Sequence, residues 1–188
     1  MHDAAGDPPL RLRAPGYEGL ARIIVGQQVS VASANAIWTR TVATVAPFEA
    51  RTLLALSDDA LRGAGLSRPK IRTLRAIATA VVENGLDLES LDGWDDEAIG
   101  EALKAISGIG PWTSDIFLMF CLGRADAFAS GDLALQVAAQ MAFDLDARPD
   151  AMALEQLAER WRPWRSVAAR LLWAYYKVVK DAKSGVPV

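Results

Sequence analysis

Cysteine and histidine are almost missing from this 188-residue chain, which holds one of each. The lone cysteine, Cys121, cannot form a disulfide within the chain, and cysteine-based zinc or iron–sulfur sites need several thiolates. The lone histidine, His2, lies at the chain terminus, so catalysis by a Ser-His or Cys-His pair lacks its base. Any chemistry must therefore come from carboxylates, hydroxyls, amides or backbone groups.

Long hydrophobic runs are also missing, since no apolar stretch reaches the 18 residues that a membrane helix needs. Residues 1–9 are polar and acidic, unlike a secretory signal. The expected location is the cytoplasm, and no membrane partner is expected. The formal net charge of −3 argues mildly against nucleic acid as a partner, because DNA binders usually show a basic footprint.

The positive charges are nevertheless clustered, and local patches can bind phosphate even when the sum is negative. Solvated helix faces are the alternative explanation. One cluster is Arg68, Lys70, Arg72 and Arg75. A second begins near the C-terminus with Arg160, Arg162, Arg165 and Arg170.

Helix signals follow one another along the chain, with no convincing alternating strand pattern. Several serines and aspartates stand where N-cap residues are expected, and prolines open further helices. The expected caps are Ser30, Ser57, Asp95 and Asp132. The expected opening prolines are Pro69, Pro111, Pro149 and Pro163. This pattern predicts an all-α protein.

Residues 103–115, with the sequence LKAISGIGPWTSD, form the most informative segment. Two predicted helices flank a turn that carries Gly108 and Gly110, and glycine lets a backbone turn tightly and approach a ligand. The unpaired amides at the start of the second helix offer an anion site without any lysine. A DNA phosphate would fit there without regard to base sequence. The alternative is an ordinary helix–helix turn.

Residues 103–132 resemble the hairpin-plus-aspartate signature of the helix-hairpin-helix (HhH-GPD) DNA glycosylase superfamily. Within it, the chain is most similar to the AlkA-type branch, the 3-methyladenine DNA glycosylases II. Residues 23–30, 126–135 and 161–173 match three further motifs of that branch in the right order. The 16 residues before Tyr17 are too few for the N-terminal β domain of larger members, so the resemblance implies a compact form.

The resemblance implies a fold of two helical lobes with the active-site cleft between them. Residues 1–188 are then one catalytic unit. The first lobe is expected over about 17–123, including the helix-hairpin-helix at 103–115, and the second over about 124–188. Residues 1–16 are expected to pack on the second lobe or to be disordered. The protein is expected to be a monomer.

The function implied is monofunctional base excision. A DNA glycosylase of this kind would bind double-stranded DNA, flip out an alkylated purine of the 3-methyladenine or 7-methylguanine type, and hydrolyse its N-glycosidic bond. This N-glycosyl hydrolase would act in base excision repair of alkylation damage and need no cofactor. The implied location is the bacterial cytoplasm, associated with the nucleoid.

Asp132 is the catalytic residue that the resemblance implies. Breaking the glycosidic bond builds positive charge on the sugar, and a fixed carboxylate stabilises that charge in a water-poor site. From position alone, Asp132 is more simply an N-cap, and the two roles are compatible. In bifunctional relatives a lysine occupies the position of Trp112 and forms a Schiff base. Tryptophan cannot, so water is the expected nucleophile.

The remaining site residues also come from the resemblance. Trp112 and Trp173 are expected to form the base pocket, although Trp173 in the last helix could equally be core. Ile116 replaces an aromatic found in some relatives and is expected to alter base preference. The expected DNA contacts are Gln27, the wedge residue Gln28, Gly108, Ile109, Gly110, Trp112, Thr113 and Arg165. A structural sodium or potassium ion is possible on the backbone carbonyls of Lys104, Ile106 and Gly108.

Other functions remain open from the sequence. The hairpin could belong to a non-catalytic HhH DNA-binding module, which would not need Asp132. The enzyme could instead act on deaminated or etheno bases. A bifunctional glycosylase/lyase is disfavoured by Trp112, and a helical interaction domain without a DNA role would leave the glycine hairpin without a purpose.

Overall fold

The protein is described from a computed structural model that covers residues 1–184. Over these residues it contains helices and no strands, which confirms the all-α prediction. The helices are α1 (His2–Ala5), α2 (Gly16–Gly26), α3 (Val31–Thr44), α4 (Ala50–Ala55), α5 (Asp58–Gly63), α6 (Arg68–Val82), α7 (Asp96–Lys104), α8 (Pro111–Phe120), α9 (Leu133–Ala142), α10 (Ala151–Ala158) and α11 (Arg165–Ser184). Two 3-10 turns lie at Leu91–Gly93 and Glu159–Trp161. Among these helices, none combines the length and apolar character that crossing a membrane requires.

The predicted N-caps hold. The side chains of Ser30, Ser57 and Asp95 accept hydrogen bonds from backbone amides three residues later. Asp132 does the same at the start of α9. Each cap satisfies one of the amides that the first turn of a helix leaves without a partner. Pro69 lies in the first turn of α6 as expected.

Some helix ends differ from the sequence prediction. Helix α10 begins at Ala151, two residues after the expected opening residue Pro149, and Asp150 caps it, because the Asp150 side chain accepts from the Ala153 amide at 2.8 Å. The last helix begins at Arg165, two residues after Pro163. Helix α8 begins at the expected opening residue Pro111 and ends at Phe120. The short α4 was not predicted.

Residues Arg13–Phe117 form one compact unit, here called the hairpin unit. Apolar residues spaced three or four apart face its core from α2 and α6, as in Leu20 and Ile24 or Leu74 and Ile77, all fully buried. Helix α6 contacts both α2 and α4, and α2 contacts α3. The core therefore surrounds α6, the longest helix of this unit.

Met1–Leu12 and the described residues from Leu118 onward form a second compact unit, here called the aspartate unit. Helix α11 contacts both α9 and α1, and α10 contacts α9. Leu135, Ala138 and Ala139 of α9 are fully buried, and so is Ala169 of α11. The boundary between the units falls within α8, six residues before the predicted position. Residues 185–188 of the predicted second lobe lie outside the described residues.

Candidate active site

The carboxylate of Asp132 is held at the start of α9. Its Oδ1 accepts a hydrogen bond from the Leu135 backbone amide at 3.0 Å and another from the Trp173 indole Nε1 at 3.0 Å. The first bond is the N-cap itself, and the second comes from a different helix. A half-buried carboxylate held by two donors has a defined direction, which positions it to act on a neighbouring positive charge.

Trp173 belongs to an aromatic and cationic stack in the aspartate unit. Its ring lies 5.6 Å from that of Phe120, centroid to centroid and tilted by 40°. The Arg170 guanidinium lies 4.4 Å from the Phe120 centroid and donates to the Met119 carbonyl at 2.7 Å. Burial lowers the pKa of Arg170. No sequence pattern singles out Phe120, because its position at the end of an apolar helix resembles ordinary core.

The loop before Asp132, residues 124–131, is held by hydrogen bonds at several positions. The Ser166 hydroxyl is buried and lies 2.6 Å from the Arg124 carbonyl oxygen and 2.7 Å from that of Ala127. The Gln136 side chain, one turn into α9, donates to the Ser130 carbonyl at 3.1 Å. The single hydroxyl proton of Ser166, shared between two carbonyls, and the Gln136 amide supply donors to irregular backbone that would otherwise be costly to bury. They also limit the freedom of the segment that carries the carboxylate.

Arg165 has a different environment from the phosphate contact that the sequence suggested. Its side chain is 11% exposed and makes two hydrogen bonds to Asp126, at 2.9 and 3.1 Å. It also reaches Glu155 at 2.8 Å and Glu159 at 3.4 Å. This largely buried guanidinium, engaged with three carboxylates, links α10, the start of α11 and the loop before α9. Its guanidinium is thus paired within the aspartate unit, and the expected contact of Arg165 with DNA stays a prediction.

The pKa of the Asp126 carboxyl group, at the centre of this cluster, is shifted by its surroundings. Burial raises its pKa, but hydrogen bonds and charge from Arg165, with the charge of Arg162, outweigh burial and hold the pKa below its ordinary value. Arg162 adds an ion pair at 2.9 Å. The loop before Asp132 is thus ionically bound to the start of α11.

The hairpin turn, residues 105–110, joins α7 to α8 in the hairpin unit. Gly108 is exposed and has a φ of +89°, where most residues are strained. The Ile109 side chain is buried, and its amide donates to the Ile106 carbonyl at 3.1 Å. The exposed turn backbone, and not the Ile109 side chain, is thus what this turn can offer to a phosphate.

The wedge loop, residues 27–30, joins α2 to α3. Gln28 is exposed and adopts a φ of +56°, an uncommon value for a residue with a side chain. Gln27 donates from Nε2 to the Thr113 hydroxyl at 2.9 Å. Thr113 is only 3% exposed, so its side chain ties the wedge loop to α8 and is not available as a direct DNA contact.

Trp112 and Ile116 lie one turn apart on α8. Trp112 is half-buried, whereas Ile116 is buried. Residues four apart on a helix share a face, so a change at Ile116 would alter the surface beside Trp112. Lys104, at the end of α7, is exposed.

The structure therefore brings together two pairs of the predicted residues, each within one unit. Asp132 and Trp173 are hydrogen-bonded, and so are Gln27 and Thr113. Among the residues that the structure describes, no cluster of three or more His, Cys, Asp or Glu side chains could hold a metal ion.

Comparison with known proteins gives concordant results. The family model for "HhH-GPD superfamily base excision DNA repair protein" matches residues 21–163. A Mycobacterium tuberculosis protein, named as a probable bifunctional transcriptional activator/DNA repair enzyme AlkA, is 34% identical over 89% of this chain, which spans only 37% of that relative.

Two solved structures extend the comparison to the fold. A DNA-3-methyladenine glycosidase from Bacillus halodurans is 33% identical, with a TM-score of 0.79 over 92% of this chain and 81% of that one. The Schizosaccharomyces pombe 3-methyladenine DNA glycosylase Mag1, in complex with abasic DNA, is 27% identical, with a TM-score of 0.82 over 92% and 87%. The chain belongs to the HhH-GPD superfamily of base excision DNA repair proteins.

Proposed function

We propose that this protein is a monofunctional DNA glycosylase that removes alkylated purines from double-stranded DNA. The observation that carries the proposal is the carboxylate of Asp132, directed by Leu135 and Trp173 in a family of base excision repair proteins. The relatives described above that are named for an activity on a base are named for 3-methyladenine. Asp132 would stabilise the positive charge that develops on the sugar as the glycosidic bond breaks.

The proposed substrate chemistry suits the available groups. N-alkylated purines such as 3-methyladenine and 7-methylguanine carry positive charge, which an aromatic ring such as that of Trp112 or Trp173 attracts. Extrusion of the base costs a few kcal/mol, and stacking on an aromatic recovers about 1–3 kcal/mol of it. Water is the proposed nucleophile, so no cofactor is required and an abasic site remains.

The proposed DNA contacts are the exposed parts of the hairpin unit. Gln28 would enter the gap that the flipped base leaves, and the turn backbone at Gly108 and Gly110 would face a phosphate. A monovalent cation on the carbonyls of Lys104, Ile106 and Gly108 would strengthen that contact. Replacing sodium and potassium by choline should then weaken DNA binding.

Base release from alkylated duplex DNA tests the proposal. The protein and an Asp132→Asn variant are incubated with the DNA, and the freed bases are identified by mass spectrometry. The wild type should release methylated purines, and the variant should lose release by at least about a hundredfold, as when a main electrostatic group of a site is removed. Binding to DNA should persist in the variant.

Asp150→Asn is the matched control, because Asp150 caps α10 as Asp132 caps α9. Asparagine is itself a good cap, so a loss confined to Asp132→Asn reports chemistry and not helix stability. A borohydride-trapped adduct between protein and DNA would contradict water as the nucleophile. Binding without release from alkylated, deaminated or etheno-adducted DNA would leave a passive DNA-binding module.

A further inference from the structure

Lys70, in the first turn of α6, reaches the end of α2. Its ammonium donates to the Val25 carbonyl oxygen at 2.7 Å, and the chain runs on from Val25 through Gly26 into Gln27 and Gln28. The last carbonyls of a helix lack partners and carry the negative end of its dipole. A cation at this point both completes a hydrogen bond and offsets that charge. Burial lowers the pKa of Lys70, consistent with an ammonium partly withdrawn from water.

Thr73 lies one turn further along α6, on the same face of the helix as Lys70. There it contacts the hairpin turn at Gly108. A Cβ atom added to Gly108 would overlap the Thr73 hydroxyl oxygen and would lie 3.0 Å from the Thr73 Cβ. The hairpin turn therefore packs directly on α6. Residues three apart lie on one face of a helix. One face of α6 therefore supports both segments: Lys70 contacts the end of α2 beside the wedge loop, and Thr73 contacts the hairpin turn.

A cavity of about 580 Å³ lies beside these contacts within the hairpin unit. Its lining includes Gln27 and Gln28 of the wedge loop, Lys70 and Thr73 of α6, and Gly108 of the hairpin turn. The loop and the turn thus border one open space, and α6 sets the spacing between them. Gln28 keeps its uncommon φ of +56° only if the surrounding structure holds it.

We propose that Lys70 is a positioning residue for the wedge loop, and that its bond to Val25 presents Gln28 in the geometry that fills the space of a flipped base. The inference rests on the proposed function and adds to it a residue that touches neither the base nor the sugar. Without Lys70, the wedge loop must be ordered during base extrusion. That cost should appear when the damaged base is paired and must be extruded, and not when it is already unpaired.

Single-turnover base release from two DNA substrates tests this role. One duplex carries a single 7-methylguanine opposite cytosine, and the other carries it opposite an abasic-site analogue. In Lys70→Met, release from the paired duplex should fall roughly tenfold or more, the loss expected of one charge-assisted hydrogen bond. Release from the unpaired substrate should change less than about twofold, since little extrusion cost remains.

Two variants separate the hydrogen bond from charge and from folding. Lys70→Arg can still donate to the Val25 carbonyl and should restore most of the paired-substrate rate. Arg68→Met removes one exposed positive charge from the same end of α6 and should slow both substrates equally, if at all. Thermal unfolding of each variant checks that the protein is folded. If Lys70→Met is not folded, Lys70→Gln replaces it: its shorter, neutral side chain removes the charge from the helix end, and its smaller loss of rate should still be confined to the paired substrate.

Equal losses on paired and unpaired DNA would overturn the inference, because they would indicate a role in chemistry or in general stability. The inference would also be overturned if Arg68→Met had an effect as large and as dependent on base pairing as that of Lys70→Met. Lys70 would then act only through general attraction of its charge to phosphate. If the wild type releases no base from either substrate and no methylated purine from alkylated duplex DNA, the proposed function itself fails and this inference with it.

Discussion

The indole N–H of Trp173 and the backbone N–H of Leu135 both donate to the same oxygen of Asp132. A backbone donor of this kind is present at any aspartate N-cap. The tryptophan donor is not, and it crosses from α11 to α9 within the aspartate unit. Trp173 therefore directs the carboxylate in addition to whatever its ring contributes to a base pocket.

Replacing Trp173 by phenylalanine separates the indole N–H from the aromatic ring. The variant keeps a ring to pack on Phe120 but loses the bond to Asp132. A hydrogen bond to a charged group contributes about 1.5–3 kcal/mol, so the rate of base release should fall about ten- to a hundredfold. Single-turnover kinetics measure that rate, and fluorescence anisotropy with abasic DNA should show a Kd within about threefold of wild type, about 0.6 kcal/mol.

Trp161→Phe is the matched control, since it removes an indole N–H from the same unit. The ring of Trp161 packs against Phe128 and Phe143, so this variant should keep the wild-type rate. A Trp173→Phe protein with a wild-type rate would show that the bond to Asp132 does not direct catalysis. A rate that falls only as far as DNA affinity falls would assign Trp173 to binding.

At the scale of elements, the join between α6 and the hairpin turn depends on a glycine. Gly108→Ala places a methyl group against Thr73, a buried and β-branched side chain that has little room to move. The positive φ adds about 1 kcal/mol of strain, and the overlap adds about 1–3 kcal/mol more. The free energy of unfolding in urea should therefore fall by at least about 2 kcal/mol, with weaker DNA binding.

Gly85→Ala provides the control for this change. Gly85 also has a positive φ, of +71°, but no atom lies within 4 Å of an added Cβ, so only the backbone strain of about 1 kcal/mol is expected. The double variant Gly108→Ala with Thr73→Ala should be more stable than the sum of the single changes. Additive effects would place the clash elsewhere.

The helices also show how much of the secondary structure could be predicted from the sequence. Ser30, Ser57 and Asp95 predicted their helices correctly because capping is a local hydrogen bond between a side chain and an amide three residues later. Helix α4 was missed, because six residues are too few to show a period and Glu49 before it makes no side-chain cap bond of the kind that marks the equally short α5. Its place depends on packing against α6, which no local pattern encodes.

For the candidate site, the sequence indicated residues but not their partners. Arg165 and Thr113 were expected to contact DNA, yet Arg165 is paired with Asp126, 39 positions earlier, and Thr113 with Gln27, 86 positions earlier. Such contacts depend on tertiary structure. Lys70 was noted as one member of a basic cluster, and only the coordinates show that its charge lies on a helix end.

At the scale of the whole molecule, the net charge of −3 does not show which charged side chains are paired within the protein. Arg162 and Arg165 are engaged with Asp126 and with glutamates of the aspartate unit. These cations stabilise the fold and contribute little to attracting phosphate. The backbone amides of the glycine turn and exposed cations such as Arg68 and Arg72 are among the groups that remain available to attract phosphate.

The same cluster should set the acid limit of stability. Because the folded-state pKa of Asp126 is lowered, its contribution is complete above the unfolded value of about 3.9 and is lost as the pH falls through the folded value. Urea unfolding from about pH 6 to about pH 3 should show the wild type losing stability on the acid side. The Asp126→Asn variant should be less stable near neutrality, and its free energy of unfolding should fall less steeply as the pH is lowered.

Asp146→Asn, which removes an exposed carboxylate of the same unit, should follow the wild-type curve. An Asp126→Asn curve parallel to the wild type would mean that other carboxylates govern acid unfolding.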